Sequence, residues 1–494
     1  MATGSRSGSS RAPCVRRGTR SRRARPAARD SARVRGTSTG ASSLSGNRTL
    51  ALAAVHGTAT PGEVRWRRRR GRAPRGERRA VGETGPVTTS PPDLAVLLAR
   101  LRTDDTGPAR EDAPVAVDPA DRLLLDLLLD EAAPWLASAG PGALAVVDDR
   151  YGALTLGAAL LAATASTEAG PAPRDARVRV HQDACTAEAA LDANAAALGL
   201  SDAYARHGLG AGLLAGVRVV LLRLPRGLAA LRDVAEHVAR EADPGVVLLA
   251  GGRVKHMTRA MNDVLGESFA DVRASLARGK SRVLVASSPR PARGGFTYPA
   301  TADLPDVGLR VAAFGAAFAG AGLDLGTRFL LEQLDAAGPA GSPPGGSGAG
   351  PRDVVDLGCG TGLLATWAAR RWPDARVVAA DRSDAAVRSA ALTARENGVG
   401  GRVRTVRDDA GATLADASAD VVLLNPPFHD GAALRTDAAH RMFATAGRVL
   451  RPGGELWCVW NAHLRYRPAL ERAVGPTTQV ARGPRFTVTR STRR

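Results

Sequence analysis

Asn425, Pro426, Pro427 and Phe428 stand in a row directly after the apolar run Asp420 to Leu424, and that order of residue types suits one kind of chemistry. An exocyclic amine on an aromatic base is a poor nucleophile because its lone pair is delocalised into the ring. Two acceptors on its two N–H bonds can turn the lone pair toward a methyl group. The Asn425 carboxamide oxygen can be one acceptor and the Pro426 carbonyl the other. The prolines hold the loop's shape and bring no competing N–H donors, and Phe428 offers a face on which a base can stack. Catalysis of this kind is mainly positioning and desolvation, worth up to ~7–11 kcal/mol in favourable cases. Alone, Asn-Pro-Pro would only mark a turn; its position after the fourth strand of a glycine-turn domain carries the catalytic reading. His429 can touch substrate or serve as a turn histidine satisfied by backbone.

A cofactor turn lies upstream. Asp356-Leu-Gly358-Cys-Gly360-Thr-Gly362 runs from an apolar strand into a glycine-rich turn and then the helix Leu363 to Arg371. Glycines let the backbone approach a nucleoside and adopt positive φ. Asp381, at the end of the next strand, is spaced to take both ribose hydroxyls. Asp408-Asp409 follows the third strand, where an acid can accept from an adenine amino group. No basic residue sits inside the turn, whereas a dinucleotide or P-loop site has phosphates to hold. A sulfonium nucleoside, S-adenosylmethionine, has none, and an acidic Asp356 suits its cationic methionine amine. Each aspartate alone could be a helix cap; the ordered series is what points to a cofactor. No metal is expected.

These residues need a parallel α/β sheet to bring them together, because in open sheets ligands bind at the carboxyl ends of strands. Strands are expected at Asp353–Leu357, Ala375–Ala380, Arg402–Val406, Asp420–Leu424 and Glu455–Trp460, with a closing hairpin over Gln479–Thr489. A similar alternation precedes them. Strands are expected at Ala143–Asp148, Val178–Val180, Val217–Leu224, Gly245–Ala250 and Lys280–Ser287. Helices are expected over Asp118–Trp135, from Leu154, and over Leu228–Glu241. The two halves read as repeats of one architecture. Residues 337–352, rich in Gly, Pro and Ser, read as a linker. The divisions are therefore 1–90, 91–336, 337–352 and 353–494.

The net charge of +20 invites a nucleic-acid reading, but its location matters. Residues 1–90 hold 21 arginines, no lysine and four acids, leaving only +3 for the rest. Those residues show no period of 2 or 3.6 and read as a disordered basic tail. The tail could be an RNA-gripping arm or a targeting peptide, but a stretch upstream of the true start is slightly favoured. The only lysines are Lys255 and Lys280. Four scattered cysteines (Cys14, Cys185, Cys359 and Cys458) form no C-x-x-C pair, which fits a reducing cytoplasm without zinc or a disulfide framework. The longest apolar runs are too short to cross a bilayer, so a membrane protein is not expected.

The motifs resemble the class I methyltransferases, specifically the tandem-domain rRNA guanine-N2 methyltransferases of bacteria. The matching segments are Asp356 to Gly362, Asn425 to Gly431, Leu450 to Leu456 and Asn461 to Tyr466. The resemblance covers about residues 93–335 and 352–491 and implies two tandem Rossmann-like domains, the first degenerate. In that family the amino-terminal copy has lost its cofactor site and assists RNA binding. Here Val146 to Leu154 looks like the degenerate glycine turn, and Leu222 to Arg226 stands where the Asn-Pro-Pro-Phe loop would be. Lys255 to Met261 and Ser275 to Ser281 look more like the large-subunit (23S) enzyme. Leu323 to Phe329 resembles the segment that helps close the cofactor site. The resemblance implies methylation of guanine N2 in unassembled 23S rRNA by a cytoplasmic monomer, with Lys255, Lys280 and His429 touching RNA. The same loop chemistry also serves N6 of adenine or a glutamine amide. A non-catalytic RNA-binding ribosome-assembly protein is the reading from another class, but it would need neither the acids nor Asn425.

Overall fold

The computed structural model describes residues 92–103, 115–130, 142–165, 177–339, 350–427 and 432–494. The expected tail, residues 340–349 of the expected linker, and Phe428 and His429 lie outside them.

Two seven-stranded sheets of identical topology dominate the described residues. The first contains β1 (Leu144–Val147), β2 (Val178–His181), β3 (Tyr204–Arg206), β4 (Val219–Arg223), β5 (Val247–Arg253), β6 (Phe269–Ala274) and β7 (Ser281–Pro289), in the order β3-β2-β1-β4-β5-β7-β6. A hairpin of β8 (Ala300–Leu304) and β9 (Leu309–Ala313) follows. The second sheet contains β10 (Asp353–Leu357), β11 (Arg376–Asp381), β12 (Val403–Arg407), β13 (Ala419–Leu424), β14 (Leu450–Asn461), β15 (Thr477–Arg482) and β16 (Phe486–Thr492), in the order β12-β11-β10-β13-β14-β16-β15. The architecture is α/β with two Rossmann-like repeats, as the sequence pattern required.

The central strands are apolar on both faces because helices cover both. Successive residues point to opposite sides of a strand. Val421 and Leu423 therefore join one buried cluster, with Trp367 and Trp457, while Val422 and Leu424 join another, with Phe443 and Trp460. The first sheet repeats the arrangement, with Leu144 and Val146 on one face and Ala145 and Val147 on the other. Buried parallel strands of this kind read as continuous apolar runs, which is why they were legible. The short β3, the edge strand β6 and the β8–β9 hairpin, whose burial pattern is broken or half-exposed, were not among the expected strands.

Packing crosses the expected boundary at 336. Leu309 and Val311 of β9, and Leu330, Leu331 and Leu334 of the helix Leu325–Ala337, share a buried cluster with Val354, Trp457 and Val488 of the second sheet. The hairpin is also tied to the helix Asp384–Glu396. Ala312 N donates to Thr393 Oγ1 (3.1 Å), and Phe314 N donates to Ser389 Oγ (2.9 Å). Residues from β8 onward thus pack with the carboxyl-terminal repeat. Composition shows where a chain cannot pack, not which sheet the preceding helix covers.

Candidate active site

β10 is the point where the strand order reverses, with β11 on one side and β13 on the other. The register Leu357↔Leu424 makes the turn after β10 and the loop after β13 neighbours at the carboxyl edge. That crevice is where an open sheet accepts a ligand.

The three glycines of the turn all have positive φ, +76° at Gly358, +52° at Gly360 and +74° at Gly362. Their surroundings differ. A Cβ on Gly358 would lie 2.7 Å from Met442 Cε, and one on Gly362 would lie 2.6 Å from Ala390 Cβ. A Cβ on Gly360 would meet nothing within 4 Å. Two of the glycines therefore permit close packing, and Gly360 leaves its side of the turn open.

Asp356 is 1% exposed. Its Oδ2 accepts from Ala365 N (2.9 Å), and its Oδ1 is buried without a partner. Burial pushes this carboxyl up to about 7; the Ala365 hydrogen bond opposes the rise and nearby Asp381 adds to it. An unpartnered buried acceptor is costly unless a donor or cation arrives. Asp381 Oδ2 accepts from Gly360 N and its Oδ1 from Ser383 N, both at 3.0 Å, so this acid braces the turn it faces. Burial raises its pKa as well.

Asp408 is buried. Its Oδ2 accepts from both Thr413 N and Thr413 Oγ1 (2.7 Å each), and its backbone N donates to Asp381 O (2.9 Å). Asp409 is half-buried and pairs with Arg441 at 3.3 Å. The acids named in the sequence thus meet at one edge, with Asp408 joined directly to the end of β11.

Asn425 is half-buried at the end of β13, followed by buried Pro426 and exposed Pro427. Its Nδ2 donates to Asp324 Oδ2 and Thr327 Oγ1, both at 3.0 Å, while its Oδ1 is buried without a partner. A carboxylate only accepts, so the group facing Asp324 must be the NH2. The amide orientation is thereby decided, and the free atom is the acceptor. Asp324 is in turn the N-cap of the helix Leu325–Ala337, accepting from Gly326 N (2.9 Å) and Thr327 N (3.1 Å). A Cβ on Gly326 would sit 3.4 Å from both Asn425 Oδ1 and Phe486 Cε1, so a glycine there leaves both atoms room.

Asp324 and Thr327 lie in the segment Leu323 to Phe329, which the family resemblance ties to closing the cofactor site, but their bonds to Asn425 are not readable from the sequence. The available signal was Asp324-Leu-Gly-Thr327 opening an amphipathic helix, a cap pattern whose distant partner is invisible before folding.

The first sheet carries different residues at the matching positions. Its register Val147↔Leu222 corresponds to Leu357↔Leu424. Asp148 then takes the place of Gly358, with φ +61°, and Arg223 that of Asn425. Arg223 Nη1 donates to Asp121 Oδ1 (2.8 Å), so the crevice is crossed by an ion pair. Gln182, in the place of Asp381, donates inward to Asp149 O. Lys255 and Lys280 are exposed and brought close in space, since Val254 N donates to Lys280 O (3.0 Å). Among the described residues, no cluster could hold a metal ion and no helix is long and apolar enough to cross a membrane.

A family model described as Methyltransferase small domain matches residues 308–490, and one described as RLMG N-terminal domain matches residues 107–290. A Shewanella amazonensis protein named ribosomal RNA large subunit methyltransferase G is 33% identical over 383 residues, covering 76% of this chain and 91% of the relative. A Streptomyces griseus protein of the same name is 35% identical over 416 residues, covering 80% and 97%. Among solved structures, the T. thermophilus 16S rRNA N2 methyltransferase RsmC, in complex with AdoMet and guanosine, matches with a TM-score of 0.58 at 22% identity. It covers 76% of this chain and 92% of that one, a likeness of fold.

Proposed function

Because the chain belongs to the ribosomal RNA large subunit methyltransferase G family, we propose that it methylates the exocyclic N2 amine of a guanine in 23S rRNA, using S-adenosylmethionine. The observation that carries this reading is the Asn425 carboxamide. Its NH2 is held by Asp324 and Thr327, and its Oδ1 remains a buried acceptor awaiting a donor.

Bound S-adenosylmethionine supplies an electrophilic methyl on a sulfonium. The residues at the strand edge fit such a group: the open side of Gly360, the unpartnered Asp356 Oδ1, and the acids at the ends of β11 and β12. Asp381 would take the ribose hydroxyls, Asp408 or Asp409 the adenine amine, and Asp356 the methionine ammonium. Gly358 and Gly362 let the turn pack closely enough to present those groups.

Asn425 Oδ1 and the Pro426 carbonyl would accept the two N–H bonds of the target amine and turn its lone pair outward. Neither is a base at neutral pH, so the proton lost on methylation passes to solvent. Pro427 would help fix the loop's shape, and Phe428 would offer a surface for stacking the base. Catalysis by orientation of this sort requires the base to leave its stack. The amino-terminal repeat would then act as an RNA-holding unit through Lys255 and Lys280, with His429 near the target. Unassembled 23S rRNA, a monomeric enzyme and a cytoplasmic location complete the reading.

Mass spectrometry of nucleosides from 23S and 16S rRNA, in strains carrying the wild-type, deleted or Asn425→Ala gene, tests it. One N2-methylguanine should vanish from 23S rRNA in both altered strains. Full N2-methylguanine at every site in the deletion strain would overturn the proposal.

A further inference from the structure

The two repeats meet through the turns that follow β2 and β11, and the contact has near two-fold symmetry in its backbone. Ala184 and Ser383 form an antiparallel bridge. Asp384 N donates to Asp183 O (2.8 Å), and Cys185 N donates to Arg382 O (2.9 Å). By strand register these pairs occupy equivalent positions in the two repeats, since Val147↔His181 matches Leu357↔Ala380.

The side chains break that symmetry. Asp183 Oδ1 accepts from Ser383 Oγ and from Ala385 N, both at 3.0 Å. A residue of the inactive repeat therefore caps the first turn of the helix Asp384–Glu396 in the other repeat. Ser383 Oγ, while donating to Asp183, accepts from Ala386 N (3.1 Å), and Ser383 N donates to Asp381 Oδ1 (3.0 Å). A second strut runs from the end of β12. Arg407 Nη1 donates to Glu188 Oε1 (3.0 Å), and Nη2 donates to Gln182 O (2.5 Å) and Asp183 O (3.1 Å). Arg407 immediately precedes Asp408, whose N donates to Asp381 O (2.9 Å).

We propose that Asp183 is a positioning residue for the cofactor site: by accepting from Ser383 Oγ and Ala385 N it holds the Asp381–Ser383 turn in the shape that aims Asp381. The degenerate repeat thus completes the cofactor site of the other one. This inference rests on the proposed role of Asp381 toward the cofactor ribose. The physical reason is local. With Asp183 truncated, the Ser383 hydroxyl and Ala385 N–H lose their acceptor, and the turn that donates to Asp381 Oδ1 gains alternative conformations. An acceptor at a helix N-terminus is also favoured by the helix dipole.

Calorimetric titration of the full-length protein with S-adenosylmethionine, without RNA, tests the proposal on wild type, Asp183→Ala, Asp183→Asn and Asp381→Ala. Asparagine keeps an acceptor oxygen at the same reach, so Asp183→Asn should bind within about twofold of wild type. Asp183→Ala should bind ~3- to 10-fold more weakly, the loss expected for one or two hydrogen bonds. Thermal unfolding of the four proteins establishes that each is folded. If Asp183→Ala does not fold, Asp183→Ser, whose shorter hydroxyl cannot reach both donors, is measured by the same criterion. Wild-type affinity in the truncated variant would overturn the proposal. Equal weakening by Asp183→Asn would do so as well, because charge rather than the acceptor would then carry the effect. Wild-type affinity in Asp381→Ala would instead overturn the assignment of the cofactor acid itself.

Discussion

Asp324 and Asn425, 101 residues apart in the chain, meet at 3.0 Å, with the carboxylate accepting from the carboxamide NH2. The contact explains how a side chain that can flip by half a turn keeps its oxygen as the one polar atom without a partner. Thr327 Oγ1 accepts the other N–H, also at 3.0 Å, so both donors are spent on the helix Leu325–Ala337. This helix, which precedes the glycine-rich stretch in the chain, is the one that orients the proposed catalytic amide of the second repeat.

Removing the Asp324 carboxylate should therefore cost turnover more than binding. Asp324→Ala should lower kcat by about 10- to 100-fold, or ~1.4–2.7 kcal/mol of barrier, with little change in the KM for S-adenosylmethionine. Some loss of stability, ~1 kcal/mol, should accompany it because the same oxygen caps a helix. Steady-state methylation of protein-free rRNA measures this. A proportionate rise in KM at unchanged kcat would show that Asp324 serves cofactor binding instead.

Asp356 predicts a pH dependence of definite sign. Its folded-state pKa, about 7 with no ligand bound, lies well above the ordinary aspartate value of 3.8. The folded state therefore holds this proton where the unfolded chain has released it. Its contribution to stability is complete below the unfolded pKa and disappears as pH rises through about 7. A cationic amine beside Oδ1 favours the ionised form, so cofactor affinity should run the opposite way and increase from pH 6 to pH 8. Titrations across that range should show it, with proton release near the lower end. Asp356→Asn should flatten both trends, and an unchanged affinity profile in that variant would refute the assignment.

The glycines of the turn separate packing from access. Gly362→Ala brings a methyl to within 2.6 Å of Ala390 Cβ at a φ of +74°. It should destabilise the protein by ~2–4 kcal/mol through overpacking and backbone strain together. Gly360→Ala meets no neighbour within 4 Å, so its stability cost should be only the left-handed backbone term, ~1–2 kcal/mol. Its methyl, however, would project into the space proposed for the cofactor. Urea denaturation with cofactor titration should show Gly362→Ala as the less stable variant and Gly360→Ala as the one weakened out of proportion to its stability. The reverse ranking would move the cofactor to another part of the edge.

The limits of sequence reading fall along a physical line. Strands buried on both faces announce themselves as unbroken apolar runs, so β10, β13 and most of the central strands were legible with boundaries within a few residues. The turn Asp356 to Gly362 and the run from Asn425 to Pro427 stand out in the sequence by residue type, and parallel α/β topology brings the strand ends that carry them together. The short β3, edge strand β6 and half-exposed β8 lack that signature, and in β9 exposed Arg310 interrupts a run of only five residues.

The kind of chemistry and the doubled α/β plan are written in local composition and period. How the acids and the amide are held is set by contacts that exist only once the chain is folded. Asp324 reaches Asn425 across 101 residues, and Asp183 caps a helix 202 residues away at Ala385. A single polar residue can satisfy any donor the fold brings within 3 Å, and nothing in its neighbours along the chain says which donor that will be.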